Sequence, residues 1–146
     1  MSSSDLPGAA LPDIHVAAVA LIRDRRVLMV TARGRAVHYM PGGKIDAGET
    51  VQDAAAREAR EEVAIELPTD SLSELFEVTT QAHGEPEGRL VRMHVFGVEA
   101  AVAAGVTPEP SAEVSALHWV TAADVDRCPP AGAEVLQRLA ALGLID

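Results

Sequence analysis

Runs of apolar residues separated by short polar segments predict the strands of one sheet-containing domain. Residues 13–22 are largely apolar and include several β-branched residues, which predicts a buried strand. A polar turn at 23–26 leads to a second strand, its expected hairpin partner. This second strand is predicted at 27–30. The remaining extended segments are predicted at 38–40 before Pro41, at 72–80 and 89–101 with a hairpin at 83–88 between them, and at 115–120.

Two segments have the composition and spacing of helices. Residues 50–62 consist mainly of Ala, Glu, Arg and Gln, which favour helices, and Thr50 can cap the N-terminus. Residues 131–142 form a final amphipathic pattern, after a helical turn at 121–125. Residues 102–113 predict a long loop, a type that is often functional in compact domains. Strands interleaved with helices indicate an α/β (α+β) fold with a mixed sheet.

Length and composition favour one globular domain. The chain has 146 residues, so we predict a single domain over 13–146 and a disordered tail over 1–12. That tail lacks the basic and apolar regions of a secretory signal, and no apolar run reaches the roughly 20 residues of a membrane span. The only cysteine is Cys128, which excludes an internal disulfide and fits a reducing, cytoplasmic setting.

The charge balance limits the partners of the protein. The formal net charge is −10, which argues against binding extended nucleic acid through a broad basic surface. An acidic protein that acts on phosphates usually needs a metal ion between its carboxylates and the substrate. The charge leaves small molecules that carry phosphates as possible partners, and the chain can be a monomer or a homodimer.

Acidic residues continue the inward-facing stripe of the first predicted helix. At about 100° per residue, Glu58, Glu61 and Glu62 follow the apolar stripe that begins at Val51, whereas Asp53 lies on the opposite side. Three acids near a helix C-terminus repel each other and oppose the helix dipole. A divalent cation would relieve both effects, and oxygen ligands favour Mg²⁺ or Mn²⁺ over Zn²⁺. The alternative is an ordinary solvated acidic helix end.

The glycine-rich loop at 41–48 and the helix after it together resemble the Nudix box. That pattern is Gly, five residues, Glu, seven residues, Arg-Glu, an apolar and any residue, Glu-Glu, any residue, Gly and an apolar residue. Ala64 stands where Gly is usual, and Ala59 is smaller than the usual Leu. The matching positions in this chain are Gly43, Glu49, Arg57, Glu58, Glu61, Glu62 and Ile65.

The resemblance implies a Nudix-like α/β/α sandwich whose loop-helix is catalytic. It implies Mg²⁺-dependent hydrolysis (with Mn²⁺ as a substitute) of a diphosphate linkage in a nucleoside diphosphate derivative. By the same resemblance Arg57 and Glu49 orient the acids, and Gly42 is structural. The implied metal ligands are Glu58, Glu61, Glu62 and the Gly43 carbonyl, and the implied catalytic residues are Arg57, Glu58 and Glu61.

Further candidate residues lie outside the box. The family often adds a distal acid, and Glu113, just before the strand at 115–120, is favoured over Glu109; it is expected to act as a metal ligand or in catalysis. Tyr39 abuts the glycine-rich loop and is the candidate wall of a base pocket, with core packing as the alternative. The candidate phosphate-binding cations are Arg33, Arg35 and Lys44, for which a plain surface role is the alternative.

The substrate stays open at this stage. Modified nucleoside triphosphates, nucleotide sugars and ADP-ribose all fit the reaction class. The segment 129–131 resembles the branch that destroys oxidised guanine nucleotides, but Gly132 stands where that branch has a base-reading Asn. Two other functions remain as alternatives, an RNA 5′-end pyrophosphohydrolase and a catalytically silent nucleotide-sensing module.

Overall fold

The computed structural model describes residues 12–146, so the predicted tail lies outside the described residues except for its last position. Two short 3₁₀ turns, Thr69–Ser71 and Ala122–Arg127, accompany the helices and strands. Within residues 12–146, no helix is both long and apolar enough to cross a membrane. The main elements are β1 (Ile14–Ala20), β2 (Ile22–Arg23), β3 (Arg26–Ala32), β4 (Gly42–Lys44), α1 (Val51–Val63), β5 (Leu72–Gln81), β6 (Leu90–Val98), α2 (Ala100–Gly105), β7 (Val114–Val120) and α3 (Pro130–Ala141).

The strands form two sheets, of which the larger one is mixed. Its order is β4-β1-β6-β5, and the smaller sheet has the order β2-β3-β7. Strand β1 is parallel to β6 and antiparallel to β4, so two distant parts of the sequence meet beside it. This arrangement confirms the predicted mixed sheet.

The side chains of β1 alternate between two hydrophobic cores. Ala17 and Val19 belong to the core beneath α1, whereas Ala18 and Ala20 belong to the core beneath α3. Because successive side chains of a strand point to opposite faces, α1 and α3 lie on opposite sides of the strand layer. The layers are therefore helix, sheet, helix, as in the predicted α/β/α sandwich.

Several segments differ from the predicted elements because of pairing and propensity. The strand predicted at 13–22 is divided into β1 and β2, which belong to different sheets, and the first residues of the loop predicted at 102–113 belong to α2. The loop predicted at 41–48 contains β4, which pairs with β1 through Val16–Lys44 to Ala18–Gly42 although Gly-Gly-Lys has little strand propensity. The strand predicted at 89–101 ends at Val98, and the Ala-rich segment after it forms α2. The guanidinium of Arg23 donates to the Ala103 carbonyl at 3.0 Å, which fastens the end of α2 to the smaller sheet.

Candidate active site

Helix α1 presents small apolar residues to the core and keeps its acids along the edge of that face. Ala54, Ala55 and Ala59 are fully buried, whereas Asp53 is exposed, as the helical spacing predicts. The helix begins at the predicted cap, where Thr50 Oγ1 accepts a hydrogen bond from Asp53 N at 3.0 Å. The small alanines let the helix approach the strands closely, which places its acids beside β4.

Arg57 is the hub of the carboxylates around this helix. Its Nε and Nη2 atoms donate to the two Glu49 oxygens at 2.7 and 3.0 Å, a bidentate pair. Its Nη1 atom donates to Glu58 at 2.9 Å and to Glu61 at 3.3 Å. A further bond, from Nη2 to the Lys44 carbonyl at 3.0 Å, joins the hub to the end of β4. One guanidinium therefore fixes the loop, the strand and the acids relative to each other.

The electrostatics of this hub favour the ionised forms of Arg57 and Glu49. The hydrogen bonds from Arg57 and the backbone of Asp46 lower the pKa of Glu49 to about 2, and the Glu49 carboxylate raises the pKa of Arg57. Glu58 behaves differently, since burial raises its pKa more than the Arg57 bond lowers it. Glu49 thus acts as the permanent counter-charge of Arg57, which leaves Glu58 less well compensated.

Glu62 lies at the junction of α1 and β4. Its Oε1 atom accepts a hydrogen bond from Gly42 N at 2.8 Å. Burial nevertheless raises the pKa of Glu62 to about 7, and the charges of Glu58 and Glu61 contribute in the same direction. This buried carboxylate is the group in the cluster with the strongest need for a nearby positive charge.

Gly43 leaves the space that the Glu58 carboxylate occupies in this conformation. A Cβ atom at Gly43 would lie 2.5 Å from Glu58 Oε1 and 2.6 Å from Glu58 Cδ, distances that no side chain tolerates. A Cβ atom at Gly42 would likewise lie 2.7 Å from Ala18 Cα. The two glycines therefore leave the space in which the Glu58 carboxylate meets the backbone of β4.

The acids suit a divalent cation in their chemistry, but they do not surround a common point in this conformation. Among residues 12–146, no three His, Cys, Asp or Glu side chains are grouped so that they could hold a metal ion as they lie. Glu62 points to Gly42 N, and Glu58 and Glu61 point to Arg57. The side chain of Glu61 is 51% exposed, so it can rotate without disturbing the core.

A cavity of about 470 Å³ opens beside these acids. Gly42, Gly43, Lys44 and Glu62 line one end of it, and Arg35 and Tyr39 line it next to them. The guanidinium of Arg35 donates to the Tyr39 hydroxyl at 3.1 Å. Three residues predicted from the sequence are not among those that line the cavity, namely Arg57, Glu58 and Glu61. Arg33 does not line it either and is exposed to solvent.

The loop before β7 brings Glu113 to the cavity and leaves Glu109 outside. Glu113 is among the lining residues, whereas Glu109 is exposed elsewhere on the loop. Backbone bonds fasten the loop to the end of α1, from Glu109 N to Val63 O at 2.9 Å and from Ser111 N to Glu62 O at 3.0 Å. Glu113 and Glu62 therefore line the same cavity, although they are 51 positions apart in the sequence.

The rest of the cavity wall comes from distant segments of the chain, of which the sequence had marked out 129–131. Met93 of β6 and the hairpin residue His83 line it, together with Pro129 and Ala131 at the start of α3. His38 also lines it, and this side chain is buried. The position of His38 five residues before Gly43 was the only local signal for it, because the rest of the wall is assembled by distant segments.

Comparison with known sequences agrees with the motif. The family model described as the NUDIX domain matches residues 13–139. A protein of Haemophilus influenzae named 8-oxo-dGTP diphosphatase is 34% identical over 114 residues, which cover 68% of this chain and 67% of that protein. A Mycobacterium tuberculosis protein named putative 8-oxo-dGTP diphosphatase 2 is 36% identical over 94 residues, 62% of this chain and 60% of that protein. A third or more of each relative lies outside the match.

Comparison with solved structures shows the same fold. The solution structure of the E. coli ORF135 protein superposes with a TM-score of 0.69 at 24% identity, over 94% of this chain and 95% of that one. A crystal structure of a MutT NUDIX hydrolase from Burkholderia pseudomallei superposes with a TM-score of 0.65 at 23% identity, over 93% and 99% of the two chains.

Proposed function

The chain belongs to the Nudix family of pyrophosphohydrolases, and from that membership we propose that it hydrolyses the diphosphate linkage of a nucleoside triphosphate with the help of Mg²⁺. The reaction adds water to phosphorus and breaks a P–O–P bond, which releases a nucleoside monophosphate and pyrophosphate. The observation that carries the proposal is the cavity whose wall joins Glu62, Glu113, Gly42 and Gly43 to apolar residues such as Val91 and Met93. That shape suits a phosphate chain joined to a base.

The proposed ligands of the cation are Glu58, Glu61, Glu62, Glu113 and the Gly43 carbonyl. When bound, Mg²⁺ supplies charge neutralisation for the phosphates and lowers the pKa of the attacking water. The pKa of Glu62, raised to about 7 by burial, supports a cation nearby, because such an ion would favour the ionised carboxylate. Mn²⁺ presents a similar preference for oxygen ligands and is expected to substitute.

Other residues orient the acids, accept the proton of the attacking water and bind the phosphates. Arg57, held by Glu49, keeps Glu58 and Glu61 on the side of α1 that faces β4. Glu58 and Glu113 are the two candidates for the base that takes the proton of the attacking water. The exposed cations of Arg35 and Lys44, at the acidic end of the cavity, are placed to hold phosphate oxygens.

Oxidised deoxyguanosine triphosphate is the substrate that we favour, since two relatives carry the name 8-oxo-dGTP diphosphatase. The apolar far end of the cavity, with Val91 and Met93, supports a buried base rather than a second sugar phosphate. Nucleotide sugars and ADP-ribose would place a polar moiety against that wall. This physical difference ranks the triphosphates first.

A phosphate-release screen tests the proposal. The purified protein is incubated with Mg²⁺ and, in separate reactions, with ordinary and oxidised nucleoside triphosphates, nucleotide sugars, ADP-ribose and 5′-triphosphorylated RNA. We expect monophosphate and pyrophosphate from an oxidised triphosphate, loss of activity with chelator, and recovery with excess Mg²⁺ or Mn²⁺. Full activity after exhaustive chelation would overturn the metal-dependent mechanism, and selective cleavage of the RNA would replace the substrate class.

A nucleotide-sensing module is the other class of function for this fold. It would bind the nucleotide without turnover, so binding with no product from any substrate in the screen is the result that would favour it. The intact hub of Arg57, Glu49 and Glu58 supports an enzyme instead, because a binding module needs no oriented acids.

A further inference from the structure

We infer that His38 reads the base of the substrate by accepting a hydrogen bond at Nε2 from a base N–H group. The inference rests on the proposed function, because it names the specificity determinant of that site. Three residues with polar side chains are buried among the described residues, namely Thr31, His38 and Ser71, and of these only His38 lines the cavity. Its burial and its place at the cavity distinguish it from the exposed cations at the acidic end.

The surrounding bonds fix the tautomer of His38. Its Nδ1 atom lies 3.2 Å from the Ala36 carbonyl oxygen. A carbonyl can only accept, so the Nδ1 atom carries the hydrogen and donates it. In the neutral imidazole the Nε2 atom is then an acceptor, and within residues 12–146 the hydrogen bond of the His38 ring is the one made by Nδ1. His38 thus adds a fixed acceptor on a buried ring to a cavity wall that also contains the polar side chains of Gln81, His83 and Glu85.

The ring is held rigidly from behind. His118 stacks against His38 with 4.2 Å between ring centroids, and its Nε2 atom lies 3.1 Å from Thr31 Oγ1. The main chain is fixed as well, since His38 N donates to Arg127 O at 2.9 Å. Burial lowers the pKa of His118, which disfavours a charge next to His38. A rigid acceptor of this kind discriminates strongly, because an unmatched ligand leaves it unsatisfied.

The position expected to read the base does not have room to do so. A Cβ atom at Gly132 would lie 3.2 Å from Cys128 Cβ and 3.4 Å from Met29 Cε. Helix α3 therefore packs too closely at this point for an Asn without a local shift. The reading group must come from another wall, and His38 supplies it.

Oxidation of guanine changes the group that the base presents to the Nε2 atom of His38. Guanine presents a lone pair at N7, whereas 8-oxoguanine carries a hydrogen there. A fixed acceptor facing that edge repels the first base and binds the second. We therefore expect the wild-type protein to bind 8-oxo-dGMP at least roughly tenfold more tightly than dGMP, the difference that one hydrogen bond to a buried group provides.

The test measures binding of these two monophosphates by calorimetry, so it does not depend on hydrolysis. His38→Phe keeps the ring and removes the acceptor, and it is expected to abolish the tenfold preference while affinity for inorganic pyrophosphate stays unchanged. His38→Gln, whose Oε1 atom can accept, should restore part of the preference. The matched control is His118→Phe, one layer behind the cavity, which should lower the melting temperature yet keep the preference.

A second measurement covers the case in which His38→Phe does not fold. In the ¹⁵N spectrum of the wild-type imidazole, Nε2 should be unprotonated in the free protein and should shift when 8-oxo-dGMP is added. A protonated Nε2, an unshifted one, or an equal preference in His38→Phe would overturn the assignment. Hydrolysis without any His38-dependent preference would leave the proposed function standing and sink only this inference. A His38-dependent preference without hydrolysis would support this inference and overturn the proposed function.

Discussion

At the scale of residues, Glu62 carries a carboxylate that the fold leaves short of positive charge. Burial raises its pKa from the ordinary value of 4.5 to about 7. Between these values the metal-free folded protein binds more protons than the unfolded chain. The free energy of unfolding of the metal-free protein therefore falls as the pH rises from about 4.5 through 7.

Glu62→Gln should separate stability from activity. Without metal at pH 8 the variant is expected to be more stable than the wild type by about 1–3 kcal/mol, and this difference should vanish near pH 4, where the wild-type carboxyl is neutral. With Mg²⁺, turnover should fall at least about a hundredfold, roughly 2.7 kcal/mol of transition-state stabilisation. Urea denaturation across pH and steady-state kinetics give the two readouts. The control is Glu66→Gln, which changes an exposed glutamate near the end of α1. A gain in the free energy of unfolding of Glu62→Gln that does not depend on pH would contradict the assigned pKa.

Glu113 is the residue that tests the loop. Its exposed side chain lines the cavity, so Glu113→Gln should lower turnover at least roughly tenfold, about 1.4 kcal/mol, with little change in melting temperature. Glu109→Gln is the matched control and should be nearly silent, because Glu109 lies outside the cavity wall. A large loss of turnover in Glu109→Gln together with normal turnover in Glu113→Gln would mean that Glu109 is the functional loop acid. If neither variant loses activity, Glu58 becomes the candidate base.

At the scale of elements, the exit of α1 stores backbone strain. Ala64 ends the helix in the left-handed region, with φ 57° and ψ 35°, and its N–H donates to Arg60 O at 3.1 Å. This conformation costs a residue with a Cβ atom about 1 kcal/mol, whereas glycine adopts it freely. Alanine in place of the usual glycine at position 64 therefore keeps the left-handed end of α1 but makes this conformation less favourable.

Ala64→Gly is expected to raise the free energy of unfolding by about 0.5–1 kcal/mol, measured by urea denaturation. The comparison variant is Ala101→Gly, an exposed position inside α2 that lacks positive φ, where the same change should lower stability by about 0.5–1 kcal/mol. Equal losses in both variants would show that the left-handed conformation of Ala64 carries no strain.

Local signals predicted the elements that depend on local interactions. Helix α1 was predicted from its composition and from the Thr50 cap, and both act within a few residues. Strand β4 was not predicted, because Gly42–Lys44 becomes a strand only through its pairing with β1. Helix α2 was not predicted either, since Ala-Ala-Val-Ala-Ala follows a strand directly and continues its apolar run.

At the scale of the whole molecule, the site consists of one half that the sequence specifies and one that tertiary structure assembles. The spacing of the box predicted the hub around Arg57, because all its members lie within one loop and one helix. The apolar end of the cavity joins β6, the β5–β6 hairpin and the start of α3 to the segment that carries His38. No spacing in the sequence connects these segments, so this half of the cavity could not be predicted.

The overall charge predicts how salt affects the reaction. The net charge is −10, so a triphosphate approaches a repelling molecule, and only the short-range cations of Arg35 and Lys44 at the cavity attract it. Screening of the long-range repulsion should raise kcat/KM for a nucleoside triphosphate about two- to fivefold between 10 and 150 mM salt at constant free Mg²⁺. Potassium chloride and tetramethylammonium chloride should act alike at equal ionic strength, since screening does not depend on the cation. A steep fall in kcat/KM would instead indicate a site that releases counterions from a longer polyanion, the behaviour of an RNA-end enzyme.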